Sequence, residues 1–127
     1  MSEDSDISLH IKAKQAFGEA ICDSIAKSIS RLGFPEHISI KPPQFNEAEF
    51  SIVTDPYTQS RDLVGFWYDH NKQRIGQIKF NCEDGFYAEF DVVQPHPRKK
   101  GFFVEAINAW GKQDDIRAEA KLLELPQ

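Results

Sequence analysis

At 127 residues, with 40% apolar and 28% charged side chains, the chain can bury about two thirds of its unfolded surface, so a core needs neither disulfides nor metal. That composition, with ten phenylalanines, excludes a disordered polymer and suits a single globular domain. A net charge of −5 disfavours DNA and anionic membranes as partners, because both call for a basic excess.

Residues 1–5 read as a flexible tail ahead of one domain over 6–127. The acidic start, MSEDSDIS, lacks the apolar stretch of a signal peptide. No apolar run approaches the ~18 residues of a membrane span. Cys22 and Cys82 form neither a CxxC pair nor a disulfide framework, so reduced thiols and a cytoplasmic location are expected.

From Asp6 to Leu32, Ile7, Ile11, Phe17, Ile21, Ile25, Ile29 and Leu32 share one helical arc. Ser5 or Asp6 can cap the start, Gly33 ends the helix and Pro35 blocks its resumption. Gly18 lies inside it, where glycine costs about 1 kcal/mol against alanine, and suggests close approach of a neighbour.

Short alternating runs follow. HISIK reads as a first strand through Ile38 and Ile40, and the prolines of KPPQFN break it. AEFSIVT, LVGFWY, RIGQIKF and FYAEFDVV read as four more strands, separated by the turn sequences DPYTQSRD, DHNKQ and NCEDG. The opposite parity of Ile75 and Ile78 suggests a bulge at Gly76. After the prolines of QPHPRKK, residues Phe103, Ala106, Ile107 and Trp110 recur at helical spacing, so a second helix is predicted up to Gly111. Over residues 116–123, Ile116, Ala118, Ala120 and Leu122 alternate with Arg117, Glu119 and Lys121. Period outranks the helical propensity of its side chains, and a last strand is expected there. The order α-β-β-β-β-β-α-β implies an α+β fold: a long N-terminal helix on a mostly antiparallel sheet of about five to six strands, with a second helix near the C-terminus.

Candidate chemistry is sparse. Arg98, Lys99 and Lys100 would open the second helix, where free N–H groups and cations converge on an anion, although cations there oppose the helix dipole. No glycine-rich phosphate loop accompanies them. His10, His37, His70 and His96 are scattered, without a zinc-pair spacing, and nothing local supports a set of Cys82 with a histidine and an aspartate. Glu89 and Asp91 share one face of a strand, as paired acid–base carboxylates do, but so do solvated sheet residues. Phe66, Tyr68 and Tyr87 can lie on a sheet face away from the long helix, which makes that face a candidate protein-binding patch. Aromatic sheet faces also stack RNA bases, but no matching motif is present and the acidity disfavours RNA.

The element order and acidity resemble those of small secretion chaperones and of immunity proteins that neutralise toxins. Together with the sparse chemistry, this favours a non-enzymatic adaptor, chaperone-like or immunity-type module that binds another protein or a second copy of itself through a sheet face or charged surface, and no cofactor, metal or catalytic residue is expected. The alternative is a small-molecule or anion-binding domain, enzymatic or not, sited at Arg98–Lys100.

Overall fold

The isoleucine arc folds as the spacing predicts. In the computed structural model, which describes residues 3–81 and 84–126, helix α1 runs Glu3–Leu32. Phe17, Ile21, Ile25 and Ile29 are buried, with Ile11 and Leu32 at the margins of the core. Gly33 ends α1 at φ +80°, a left-handed conformation open to glycine at no steric cost.

Six strands follow: β1 (Glu49–Thr54), β2 (Arg61–Tyr68), β3 (Arg74–Phe80), β4 (Gly85–Pro95), β5 (Phe102–Lys112) and β6 (Asp115–Glu124). They form one antiparallel meander in sequence order, each strand pairing with the next. α1 crosses the inner face. Near its start Asp6 meets Arg61 of β2 at 2.7 Å, Phe17 stacks edge-on against Phe80 and Phe86, and the helix also contacts β5 and β6. The α+β fold with its long helix on an antiparallel sheet therefore holds.

Two elements differ from expectation. Residues 37–41 form no strand; they belong to a loop held over one end of the sheet, where Trp67 Nε1 donates to the Gln44 carbonyl at 2.8 Å. Phe45, in a 3-10 turn at Phe45–Glu47, inserts its ring between α1 and the sheet. The loop thus buries apolar side chains without ladder hydrogen bonds, which consecutive prolines cannot donate.

The predicted second helix is strand β5. Its residues mimic helical spacing because the ladder is bulged there: the register slips between Val104 and Ala106 against β6, and between Asp91 and Gln94 against β4. Glu105 is the extra residue, so Val104 and Ile107 face the core although three positions apart. The bulge expected at Gly76 lies one residue earlier, at Ile75, which falls between the pairs Trp67–Gly76 and Tyr68–Arg74. The last strand, over 116–123, is present as β6.

Candidate functional site

The helix covers one face of the sheet, and the opposite face is built by the remaining parity of each strand. Val64, Lys79, Tyr87, Trp110 and Arg117 stand side by side from β2 to β6, and Phe66, Gln77, Glu89, Asn108 and Glu119 form the next row. Among the described residues the one α-helix packs on the other face; Val64 is buried, whereas Tyr68, Tyr87 and Trp110 are 41%, 39% and 38% exposed. Three aromatic rings on one sheet face are held as rigid apolar area.

Polar groups tie this face together. Tyr87 Oη donates to Glu89 Oε2 at 2.9 Å. Partial burial and the neighbouring Glu89 push the Tyr87 hydroxyl above the ordinary tyrosine value. The Arg74 guanidinium lies 5.0 Å from the centre of the Phe66 ring. Asp91 is pushed above the usual carboxylate range, first by desolvation and then by Glu89 and Glu105, while Arg74 works in the other direction. Arg74, Gln77, Glu89 and Asp91 border a hollow of about 190 Å³. Lys79 Nζ lies 3.6 Å from buried Asp62, and Lys121 lies 3.3 Å from Glu105. Asn108 Oδ1 is buried with no hydrogen-bond partner among the described residues.

Of the residues picked from sequence, Phe66, Tyr68 and Tyr87 share this face. Arg98, Lys99 and Lys100 do not. They lie in the β4–β5 hairpin loop rather than at a helix start, so the helix-terminus argument for an anion site loses its basis. His96 Nδ1 folds the loop by accepting the Arg98 and Lys99 amides at 3.1 and 2.9 Å. The Arg98 guanidinium reaches Gly33, where a Cβ would fall 2.5 Å from Nη2. A cation there sits at the C-terminal, negative end of α1, which favours it. Lys99 Nζ lies 4.1 Å from the centre of the Phe102 ring.

Glu89 and Asp91 are adjacent on the outer face of β4, as their spacing predicts. The histidines stay apart: His10 faces Asp6 at 3.7 Å, His96 shapes its loop, and His70 borders an open groove of about 670 Å³ with Lys41, Trp67, Tyr68 and Asp91. Cys82 lies outside the described residues. Cys22 is buried, and desolvation, with Asp23 and Glu19 nearby, pushes its thiol up to about 12. Among the described residues no group of three or more histidine, cysteine and carboxylate side chains is placed to hold a metal ion, and no helix is long and apolar enough to cross a membrane.

Trp110 is the residue that sequence reasoning misplaced, on a helical arc. The signal for its true position is the turn GKQDD between two alternating runs, Ile107/Ala109 and Ile116/Ala118, which is a hairpin pattern. Compared with family models, curated proteins and solved structures, the chain matches none.

Proposed function

We propose that this protein is a non-enzymatic interaction module that binds another protein through the outer face of its sheet. The observation that carries the reading is the exposure of Tyr68, Tyr87 and Trp110 on the sheet face opposite α1. Tyrosine, tryptophan and arginine are the side chains enriched at the energetic centres of interfaces, with charged residues at the rim. Here charges of both signs stand among the rings, Arg74 and Lys79 beside Glu89 and Asp91. The partner therefore offers an apolar patch of similar size, interspersed with charges of both signs.

The test is differential capture from host lysate with three baits: wild type, Tyr87→Ser with Trp110→Ser, and Tyr57→Ser. Tyr57 is 94% exposed at the far β1–β2 turn and serves as the control aromatic. The expected result is one protein held at near-equal amounts by wild type and by Tyr57→Ser, and lost by the face variant at an unchanged melting temperature. Identical capture by all three would reject the reading.

A further inference from the structure

Strand β6 closes the sheet on one side, and its free edge carries a pattern that fits itself. The Asp115 carbonyl packs against Gly111, where an added Cβ would strike it, and the Leu125 amide donates to the Gly101 carbonyl at 2.7 Å. Both groups point toward β5. Backbone direction alternates along a strand, so the odd-numbered residues bond β5 and the even-numbered ones, 116 to 124, turn their N–H and C=O groups to the free edge. This edge is ten residues long and holds no proline. The two bulges beside it shift β4 and β5 but leave the β6 sequence continuous. Ile116, Ala118, Ala120 and Leu122 face the core side and are only half-buried. Long regular edges of this kind are templates for pairing unless something blocks them.

The outward side chains decide what such an edge accepts. They alternate in sign: Asp115, Arg117, Glu119, Lys121. A second copy can pair antiparallel about a two-fold axis, keeping hydrogen-bonded and side-chain phases matched, in registers centred on an odd or an even residue. A centre on Glu119 sets Glu119 against Glu119 and Arg117 against Lys121, which repels. A centre on Ala118 sets Arg117 against Glu119 and Asp115 against Lys121, each pair occurring twice, and places small Ala118 against its own copy on the core side. A centre on Ala120 keeps one opposite pair, Glu119 with Lys121, and leaves Arg117 against Leu123. Directly opposed unlike charges stabilise cross-strand pairs and like charges oppose them.

We infer that β6 is the seam of a homodimer, in which two copies pair antiparallel about Ala118 to make one continuous sheet of twice the width. Within one copy Arg117 contacts Asp115 at 3.4 Å and Lys121 contacts Glu105 at 3.3 Å. Across the seam these pairs extend into a row of alternating sign. The seam rests on the β6 edge; Arg117 and Glu119 also end the outer-face rows, but the substitutions that test it leave Tyr87 and Trp110 in place.

Sedimentation of the full chain, from micromolar to several hundred micromolar, tests the seam with two charge-reversed variants. Wild type is expected to sediment as a dimer at the upper concentrations. Arg117→Glu sets glutamate against Glu119, and Glu119→Arg sets arginine against Arg117, so each variant alone sediments as a monomer with an unchanged far-UV spectrum. Mixed in equal amounts, the two variants restore both opposite pairs and form a dimer again. The Ala118 centre is rejected if Arg117→Glu alone still dimerises, because only a different register spares that change. A wild type that stays monomeric at the highest concentration, or two variants that do not recombine, would overturn the seam altogether.

Discussion

A glycine inside a helix is replaced by alanine at a gain of about 1 kcal/mol when nothing else intervenes. Gly18 is the exception that shows what this helix is for. A Cβ at that position would run into the Phe45 ring, whose own environment is fixed by Phe50 at 4.9 Å and Phe80 at 6.2 Å between ring centres. Gly18→Ala is therefore expected to destabilise, by about 1–3 kcal/mol for an overpacked site, in a denaturant titration. A gain would mean that the loop carrying Phe45 moves aside at little cost. Asp91 poses the opposite kind of problem, one of charge. Its carboxyl is held above the usual range by desolvation and by Glu89 and Glu105, so its ionisation favours the unfolded chain. That penalty is absent below the ordinary carboxylate value of about 3.9 and complete above the raised folded value. Asp91→Asn should therefore be the more stable protein at pH 7, by less than about 1 kcal/mol for a partly buried group that solvent still screens. The advantage should shrink toward zero as pH falls through the carboxylate range. Melting curves of both proteins between pH 3 and pH 7 check this, and an advantage that persists at pH 3 would place its cause elsewhere than in charge.

At the scale of elements, the sequence was most readable where one period runs without interruption. The 3.6-residue arc of α1 and the alternation of β6, and of β4 up to Asp91, name their own structure, and parity puts Phe66 with Tyr68, while the face that Tyr87 joins depends on the strand pairing. What hid β5 is a local count error: one extra residue, Glu105, shifts parity, so same-face residues such as Val104 and Ile107 stand three positions apart, and the apparent helical arc joins residues of both faces. The segment 37–41 misled in the reverse sense, since alternation of Ile38 and Ile40 needs a hydrogen-bonding neighbour to become a strand, and the following prolines deny it one. The basic run 98–100 was opaque for a third reason. The neighbour of Arg98, the C-terminal end of α1 at Gly33, is distant in sequence. The β5–β6 hairpin gives this reading a test. Gly111 adopts φ +127°, and a side chain there would strike the Asp115 carbonyl. Gly111→Ala is expected to destabilise by about 1–3 kcal/mol, as strained backbone positions do. Amide exchange should quicken first in β6, the outermost strand of that hairpin. Uniform quickening across all six strands would show that the hairpin has no local opening of its own.

At the scale of the molecule, the meander and the single helix depend on each other. Every strand bonds only to its sequence neighbours, so nothing in the ladder itself joins the first strand to the last. α1 does that: it reaches β2 through Asp6 and Arg61, β3 and β4 through Phe17, and β5 and β6 by direct packing. Removing the helix would bare the whole inner face, and losing any inner strand would leave part of the helix stripe unburied. Such mutual dependence implies one cooperative unit, as small domains usually are. The two tryptophans allow a sharp check, because they sit on opposite faces. Trp67 is buried and anchors the 34–48 loop through its bond to the Gln44 carbonyl at 2.8 Å, while Trp110 lies on the outer face. In the Trp110→Phe protein, fluorescence reports Trp67 alone and far-UV circular dichroism reports α1 and the sheet together. The two denaturation curves are expected to coincide in midpoint and slope. A fluorescence transition at lower denaturant would mean that the loop leaves the core before the helix does, and the molecule would then unfold in two steps, with the Trp67 end of the sheet opening first.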